Sequence, residues 1–174
     1  MYRNVIEHSK SMAFGCSHTW GVGVEATETW CYLLGAMNFG MPGVSADFVA
    51  RTAPGLIQQY SPDIVYILWP DWTRFEYLKN NEYKQSLATD TNRIEFMSWA
   101  TDEWLQNNFA SKQKEIKDFC QQNNTTLIDI TLYELTLYID HADRWPLSKL
   151  GHHYSLVWHQ WVADIFKTIQ NEKI

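Results

Sequence analysis

The sequence predicts a three-layer α/β/α domain with a mostly parallel central sheet, and three observations carry that prediction. Short apolar runs alternate with stretches of helical period along the chain, as strands and helices do in an α/β layer fold. One run, Ile64-Val65-Tyr66-Ile67-Leu68, is continuous rather than alternating, as a strand buried on both faces of a parallel sheet must be. The chain has 174 residues, 45% of them apolar, which suits one domain with a sizeable core.

Each element follows in turn. Ser11-Met12-Ala13-Phe14 is the first strand, broken at Gly15. A helix is expected from about Glu28, with Thr27 as its N-cap and Trp30, Leu33 and Leu34 on its apolar side. Asn38-Phe39 is a brief second strand, and Gly40-Met41-Pro42-Gly43 is a turn by composition. Ser45 caps a helix carrying Phe48, Val49, Leu56 and Ile57, which Pro54 is expected to kink or split. Ser61-Pro62-Asp63 sets up the central strand. Residues 72–122 are polar and read as a mostly helical insertion within a single domain spanning 1–174. Leu127-Ile128-Asp129-Ile130 is the last strand, and a final helix runs from about Ser155 through Val162, Ile165, Phe166 and Ile169.

Composition narrows the function. A formal net charge of −6 with no basic block argues against nucleic acid as a partner. No stretch is long and apolar enough to span a membrane, and residues 1–10 lack an apolar signal core, so the expectation is no membrane partner and a cytoplasmic location. Cys16, Cys31 and Cys120 are odd in number and far apart, which suits neither a disulfide framework nor a zinc knuckle. The six His show no metal-ligand spacing, so no metal and no cofactor are expected. Nine Trp either fill a bulky core or offer platforms for a ring.

The chemistry gathers in three segments. In Phe14-Gly15-Cys16-Ser17-His18-Thr19 a hydroxyl follows a strand that stops at Gly, at the carboxyl edge where open α/β sheets bind ligands. The turn 40–43 offers backbone N–H groups to the same edge. Gly151-His152-His153-Tyr154-Ser155 sets imidazoles just ahead of the last helix. A serine, amide donors and an imidazole are the parts acyl transfer needs.

These blocks resemble the SGNH/GDSL hydrolase family, especially its compact phage-like and bacterial branch, whose first block often reads Gly-Cys-Ser. Glu28-Thr29-Trp30 with Leu33-Leu34-Gly35, the stretch 38–45, Pro62-Asp63-Ile64-Val65 leading to Trp69, and Arg74-Phe75-Glu76 carry the likeness. It covers most of the chain outside about 78–122. The resemblance implies an SGNH- or flavodoxin-like layering, Ser17 as nucleophile, and the N–H groups of Ser17 and Gly40 as oxyanion donors. The family's third donor, an Asn side chain after the central strand, has no counterpart, because Trp69-Pro70-Asp71-Trp72 stands there. Loss of one such donor lowers turnover by about 10²–10³. Arg74 is the preferred substitute; an ionised Asp71 would repel an oxyanion.

The acid–histidine block fits the resemblance in two registers. In the first, His153 is the base and Ser155 opens the helix, but Leu150 stands where the acid should be. In the second, Asp143 is the acid and Ser148, Gly151 and His152 fall into place, but Pro146 occupies the base position. The first is preferred, with Asp143 reaching His153 if residues 144–150 fold back. A triad without its acid can lose about 10⁴ in rate.

Plainer roles compete for the same residues. His18 is expected to pack or face substrate, His159 to be a packed and hydrogen-bonded residue, Cys16 to point into the core, and Cys31 and Cys120 to be structural. Most of Trp20, Trp69, Trp72, Trp145 and Trp158 are packing residues, with two or more forming an apolar wall for a sugar ring or acyl chain. The leading expectation is hydrolysis of a small or carbohydrate-linked O-acyl ester through an acyl-enzyme. Ser17, His153 and Asp143 would do the chemistry, with Arg74, Asp71, Trp69, Trp20 and His18 around the substrate. The rival is a catalytically impaired binding module of the same fold, for a carbohydrate or a protein partner. A third reading is an assembly protein that uses its Trp-rich surface.

Overall fold

The computed structural model describes residues 3, 6, 8–86, 100–137 and 154–173. Strands β1 (Ser11–Gly15), β2 (Met37–Asn38), β3 (Ile64–Trp69) and β6 (Thr126–Thr131) form a parallel four-stranded sheet in the order β2-β1-β3-β6. Successive side chains on a strand point to opposite faces, and this alternation builds the layers. Met12, Phe14, Val65, Ile67 and Trp69 pack on one face with Val49, Ala53 and Ile57 of helix α3 (Ala46–Tyr60) and Ile116 and Cys120 of helix α4 (Asp102–Gln122). Ala13, Tyr66, Leu68, Ile128 and Ile130 pack on the other, with Trp30 and Cys31 of α2 (Trp30–Leu33), Leu135 of α5 (Leu132–Leu137), and Trp158, Val162 and Phe166 of α6 (Leu156–Lys173). A fully buried Val, Leu, Ile, Phe or Met contributes about 1.5–3 kcal/mol, so two such cores hold the sheet from both sides.

Four local expectations are corrected. The helix expected from Glu28 is a 3-10 turn at Ala26–Glu28 followed by α2. The Glu28 carboxylate reaches back to the Glu25 N–H (2.9 Å), and Thr29, not the exposed Thr27, caps α2 by accepting from the Tyr32 N–H (3.3 Å). The second strand lies one residue earlier than expected. Pro54 does not split α3, because Val49, Ala50 and Ala53 before it and Ile57 after it are all buried in one core. That shared burial outweighs one missing backbone hydrogen bond.

The fourth correction concerns 72–122. Its first part is an antiparallel hairpin of β4 (Phe75–Lys79) and β5 (Glu82–Ser86). The connection is Asn80-Asn81, with φ of 55° and 61°, the left-handed pair that two-residue hairpin turns require. Arg51 on α3 forks onto the Glu76 carboxylate at 3.0 and 2.8 Å, and the Glu76 N–H donates to Asp47 at 3.0 Å, tying the hairpin down. The helical part, α4, is the crossover between β3 and β6 and hence a layer of the fold. Among the described residues no helix is long and apolar enough to cross a membrane.

Candidate active site

Chain order and sheet order disagree at β1. The chain runs from β1 outward to β2, then returns past β1 to β3. Connections leaving the carboxyl ends of β1 and β3 therefore diverge and open a crevice between them, where open α/β sheets bind ligands. Ser17 sits two residues beyond the end of β1, as the first residue of a one-turn helix α1 (Ser17–Trp20), and is 9% exposed. Cys16 turns its side chain into the core at 0% exposure. Thr19 and Trp20 N–H donate to the Cys16 carbonyl (3.1 and 2.9 Å), and Gly21 and Val22 N–H to that of Ser17 (2.9 and 3.1 Å). The Ser17 N–H lies in the first turn, whose donors have no acceptor inside the helix.

Two glycines make this corner possible. A Cβ on Gly15 would lie 2.2 Å from Thr19 Oγ1 and 2.4 Å from the Leu68 carbonyl oxygen, at a φ of +149°. A Cβ on Gly40 would lie 2.5 Å from the Trp20 backbone nitrogen. Gly40 is therefore the residue over which the chain leaving β2 crosses α1.

That packing corrects the oxyanion expectation for Gly40, whose N–H already donates to Asn38 Oδ1 at 2.9 Å. Asn38 Nδ2 in turn donates to the Thr19 carbonyl at 2.8 Å. Asn two residues before the donor is an Asx-turn spacing, so the sequence held the signal for this commitment. Phe39 N–H goes to Ala13 O, Met41 N–H to Gly15 O, and Ser45 N–H to Gln85 Oε1. Pro42 has none. In this stretch, the N–H groups of Gly43 and Val44 remain without an acceptor among the described residues.

The substrate-side expectations divide. Trp69 is 0% exposed and donates its indole N–H to Asp129 at 3.0 Å, so it is a core residue and cannot face a ligand. The alternation of β3, which sends Trp69 to the same face as Val65 and Ile67, decides this. Trp20 is half-buried at the far end of α1, with the Arg3 guanidinium 5.7 Å from its ring centre. Asp71 is exposed and accepts from the Thr73 N–H and hydroxyl (2.8 and 2.6 Å). Arg74 keeps Nη1 buried with no hydrogen-bond partner among the described residues.

A cleft of about 620 Å³ opens beside Asp71, lined by Pro70, Trp72, Gln106, Phe109, Thr131, Leu132 and Tyr133. Sequence reasoning missed the part contributed by α4 and by the chain leaving β6. Its one signal was position, since Thr131-Leu132-Tyr133 ends a strand at the same carboxyl edge as Ser17.

An aromatic cluster gathers around His18, the residue after Ser17. The His18 ring lies 5.4 Å from those of both Tyr154 and Trp158, which stack on each other at 4.8 Å. His159 accepts the Trp30 N–H on Nδ1 at 3.3 Å. Burial, helped by the nearby His18 and Arg3 charges, pushes its pKa down to about 3, so the ring is neutral. Ser155 starts α6 through its carbonyl, which accepts from Trp158 and His159 N–H (3.1 and 3.2 Å). Segment 138–153 lies outside the described residues, and with it Asp143, His152, His153 and both registers of the acid–histidine block; so do His141, Trp145 and Trp99. The three cysteines are free and buried. Among the described residues no cluster of His, Cys, Asp or Glu could hold a metal.

No family model matches the chain, and no curated protein matches it by sequence. Solved structures do. TesA aligns with a TM-score of 0.56 at 13% identity, over 94% of this chain and 99% of its own. A lipase/acylhydrolase from Enterococcus faecalis aligns at 0.48 and 18% identity, over 93% of this chain and 96% of that one. A protein ascribed to the lipolytic G-D-S-L family, from Desulfitobacterium hafniense, aligns at 0.48 and 15% identity, over 91% and 98%. With its parallel sheet of order β2-β1-β3-β6 between two helical layers, the chain has the SGNH/GDSL hydrolase fold.

Proposed function

We propose that the chain is a serine ester hydrolase that works through an acyl-enzyme, with Ser17 as the nucleophile. The observation that carries this is the placement of Ser17: first residue of α1, at the carboxyl end of β1, beside the crevice where the sheet changes direction. His153 is the general base. It takes the proton from Ser17 Oγ as the hydroxyl attacks the ester carbonyl, then returns it to the departing alcohol; water repeats the cycle on the acyl-enzyme. The contact of His18 with Tyr154 supports the pairing, because each is one residue along the chain from Ser17 and His153 respectively. Asp143 orients the imidazole in this scheme.

The oxyanion falls to the Ser17 N–H, since the Gly40 N–H is committed to Asn38. Arg74, with Nη1 buried and unpartnered among the described residues, is the candidate for the donor the resemblance lacks. The cleft beyond the carboxyl ends of β3 and β6, whose lining does not include Ser17, suits the neutral part of a small or carbohydrate-linked O-acyl ester. Pro70, Trp72, Phe109, Leu132 and Tyr133 supply apolar wall, while Asp71, Gln106 and Thr131 supply polar groups that orient.

A second reading, a binding module of the same fold, is favoured by Trp69 where a donor is wanted and by the committed Gly40 N–H. One experiment separates them. Wild type and Ser17→Ala are treated with a fluorophosphonate probe and assayed on p-nitrophenyl acetate and acetylated sugars. The hydrolase reading expects labelling and turnover in wild type and neither in the variant. An unlabelled wild type at probe concentrations that saturate serine esterases supports the binding module, and equal rates in both proteins end the serine assignment.

A further inference from the structure

We infer that Arg3 is a positioning residue for the nucleophile, acting from the opposite end of α1; the inference rests on the reading of Ser17 above. The helix has four residues, a single turn that sequence-local bonds alone do not stabilise, since one turn is little more than the unfavourable nucleus of a helix. Its last carbonyls need partners from elsewhere. Arg3 supplies the partner of Trp20 and ties down the chain that leaves the helix: Nη1 donates to the carbonyls of Trp20 (2.8 Å) and Gly21 (2.5 Å), and Nη2 to that of Val24 (2.5 Å). Its charged carbon also sits 5.7 Å from the Trp20 ring centre, within cation–π range.

The link to Ser17 is short. Gly21, whose carbonyl Arg3 holds, donates its own N–H to the Ser17 carbonyl at 2.9 Å, and Val22 does the same at 3.1 Å. The guanidinium is thus two hydrogen bonds away from the backbone of the serine. It also places a permanent positive charge at the carbonyl end of the helix, the favourable end for a cation. Its removal frees the exit of α1, so that the Ser17 hydroxyl loses its fixed distance to base and substrate, and the melting temperature reports any effect on the layers.

The test compares wild type, Arg3→Ala and Arg3→Lys by fluorophosphonate labelling rate, by kcat and KM on p-nitrophenyl acetate, and by melting temperature. Arg3→Ala is expected to label more slowly by about 10- to 100-fold, the effect of a small misplacement of a reacting group, with the loss in kcat rather than KM. Arg3→Lys, with a compact ammonium in place of the fork, is expected to fall between the two. Added methylguanidinium is expected to restore part of the rate of Arg3→Ala. A labelled wild type with Arg3→Ala equal to it overturns the inference alone. So does a rate loss matched by unfolding, with Arg3→Lys equally impaired and no rescue. An unlabelled wild type sinks the serine reading, and this inference with it.

Discussion

Gly15→Ala tests whether the corner that presents Ser17 is built by close backbone approach. The added methyl would lie 2.2 Å from Thr19 Oγ1, 2.4 Å from the Leu68 carbonyl oxygen and 3.1 Å from Thr19 Cβ. Ordinary contacts lie beyond 3.4 Å, so two neighbours must each retreat by roughly 1 Å. Neither moves freely. Thr19 is 0% exposed, and Leu68 belongs to the backbone of β3, paired with β1 on one side and β6 on the other. Overpacking of this kind costs about 1–3 kcal/mol, and the φ of +149° adds about 1–2 kcal/mol for a residue with a Cβ. The expected loss is about 2–5 kcal/mol, read as a drop in melting temperature of about 5–20 °C for a chain of this size. Urea unfolding at unchanged m value is the assay. The double variant Gly15→Ala with Thr19→Ala removes the clash with Thr19 Oγ1 but neither the Cβ contact at 3.1 Å nor the clash with Leu68 O, so it recovers part of the loss and no more. A single variant within about 0.5 kcal/mol of wild type refutes the argument.

Three further outcomes are expected. His159 binds no proton in the folded chain until pH approaches about 3, whereas its unfolded value is 6.5. The folded pKa is the lower one, so the contribution is complete above pH 6.5 and is lost as pH falls toward 3, with a limiting slope of about 1.4 kcal/mol per pH unit. Replacing His159 by Gln should flatten that part of the stability profile, and an unchanged slope would count against the assignment. Burial pushes the Cys31 thiol well up and the Cys120 thiol up to about 11. Because all three thiols are buried, a disulfide reagent at neutral pH should find no quickly reacting thiol in the native protein and three after denaturation; rapid labelling of the folded chain would contradict the packing. Trp158→Ala should cost about 3–5 kcal/mol as a large-to-small change in the core. It should also lower esterase activity more than Phe166→Ala does, because Trp158 stacks on Tyr154 and its ring also meets that of His18.

The layered fold was legible because its signals are local. The run 64–68 reads as a strand buried on both faces, and the two cores receive its alternate residues. Ser17 stood out because a strand that stops at Gly needs only neighbouring residues to be recognised. The hairpin at Phe75–Lys79 and Glu82–Ser86 was not legible as such, since only its ends, Phe75 and Ser86, are buried while Leu78 and Tyr83 lie exposed, so no sustained apolar face marks it. The pair Asn80-Asn81 was its one local mark.

By itself the sequence determined the strands of the parallel sheet and the long helices that cover it, and which loop carries a serine to the carboxyl edge, because backbone preference and apolar period are properties of adjacent residues. Only the tertiary structure decided what each polar group was free to do. Asn38 ties its Nδ2 to the Thr19 carbonyl, Trp69 turns inward to Asp129, and Arg3 spans the exit of α1. Each of these depends on chain crossings that put residues within about 3 Å regardless of their separation in sequence. A donor's availability is settled by that geometry, and no reading of one segment alone contains it.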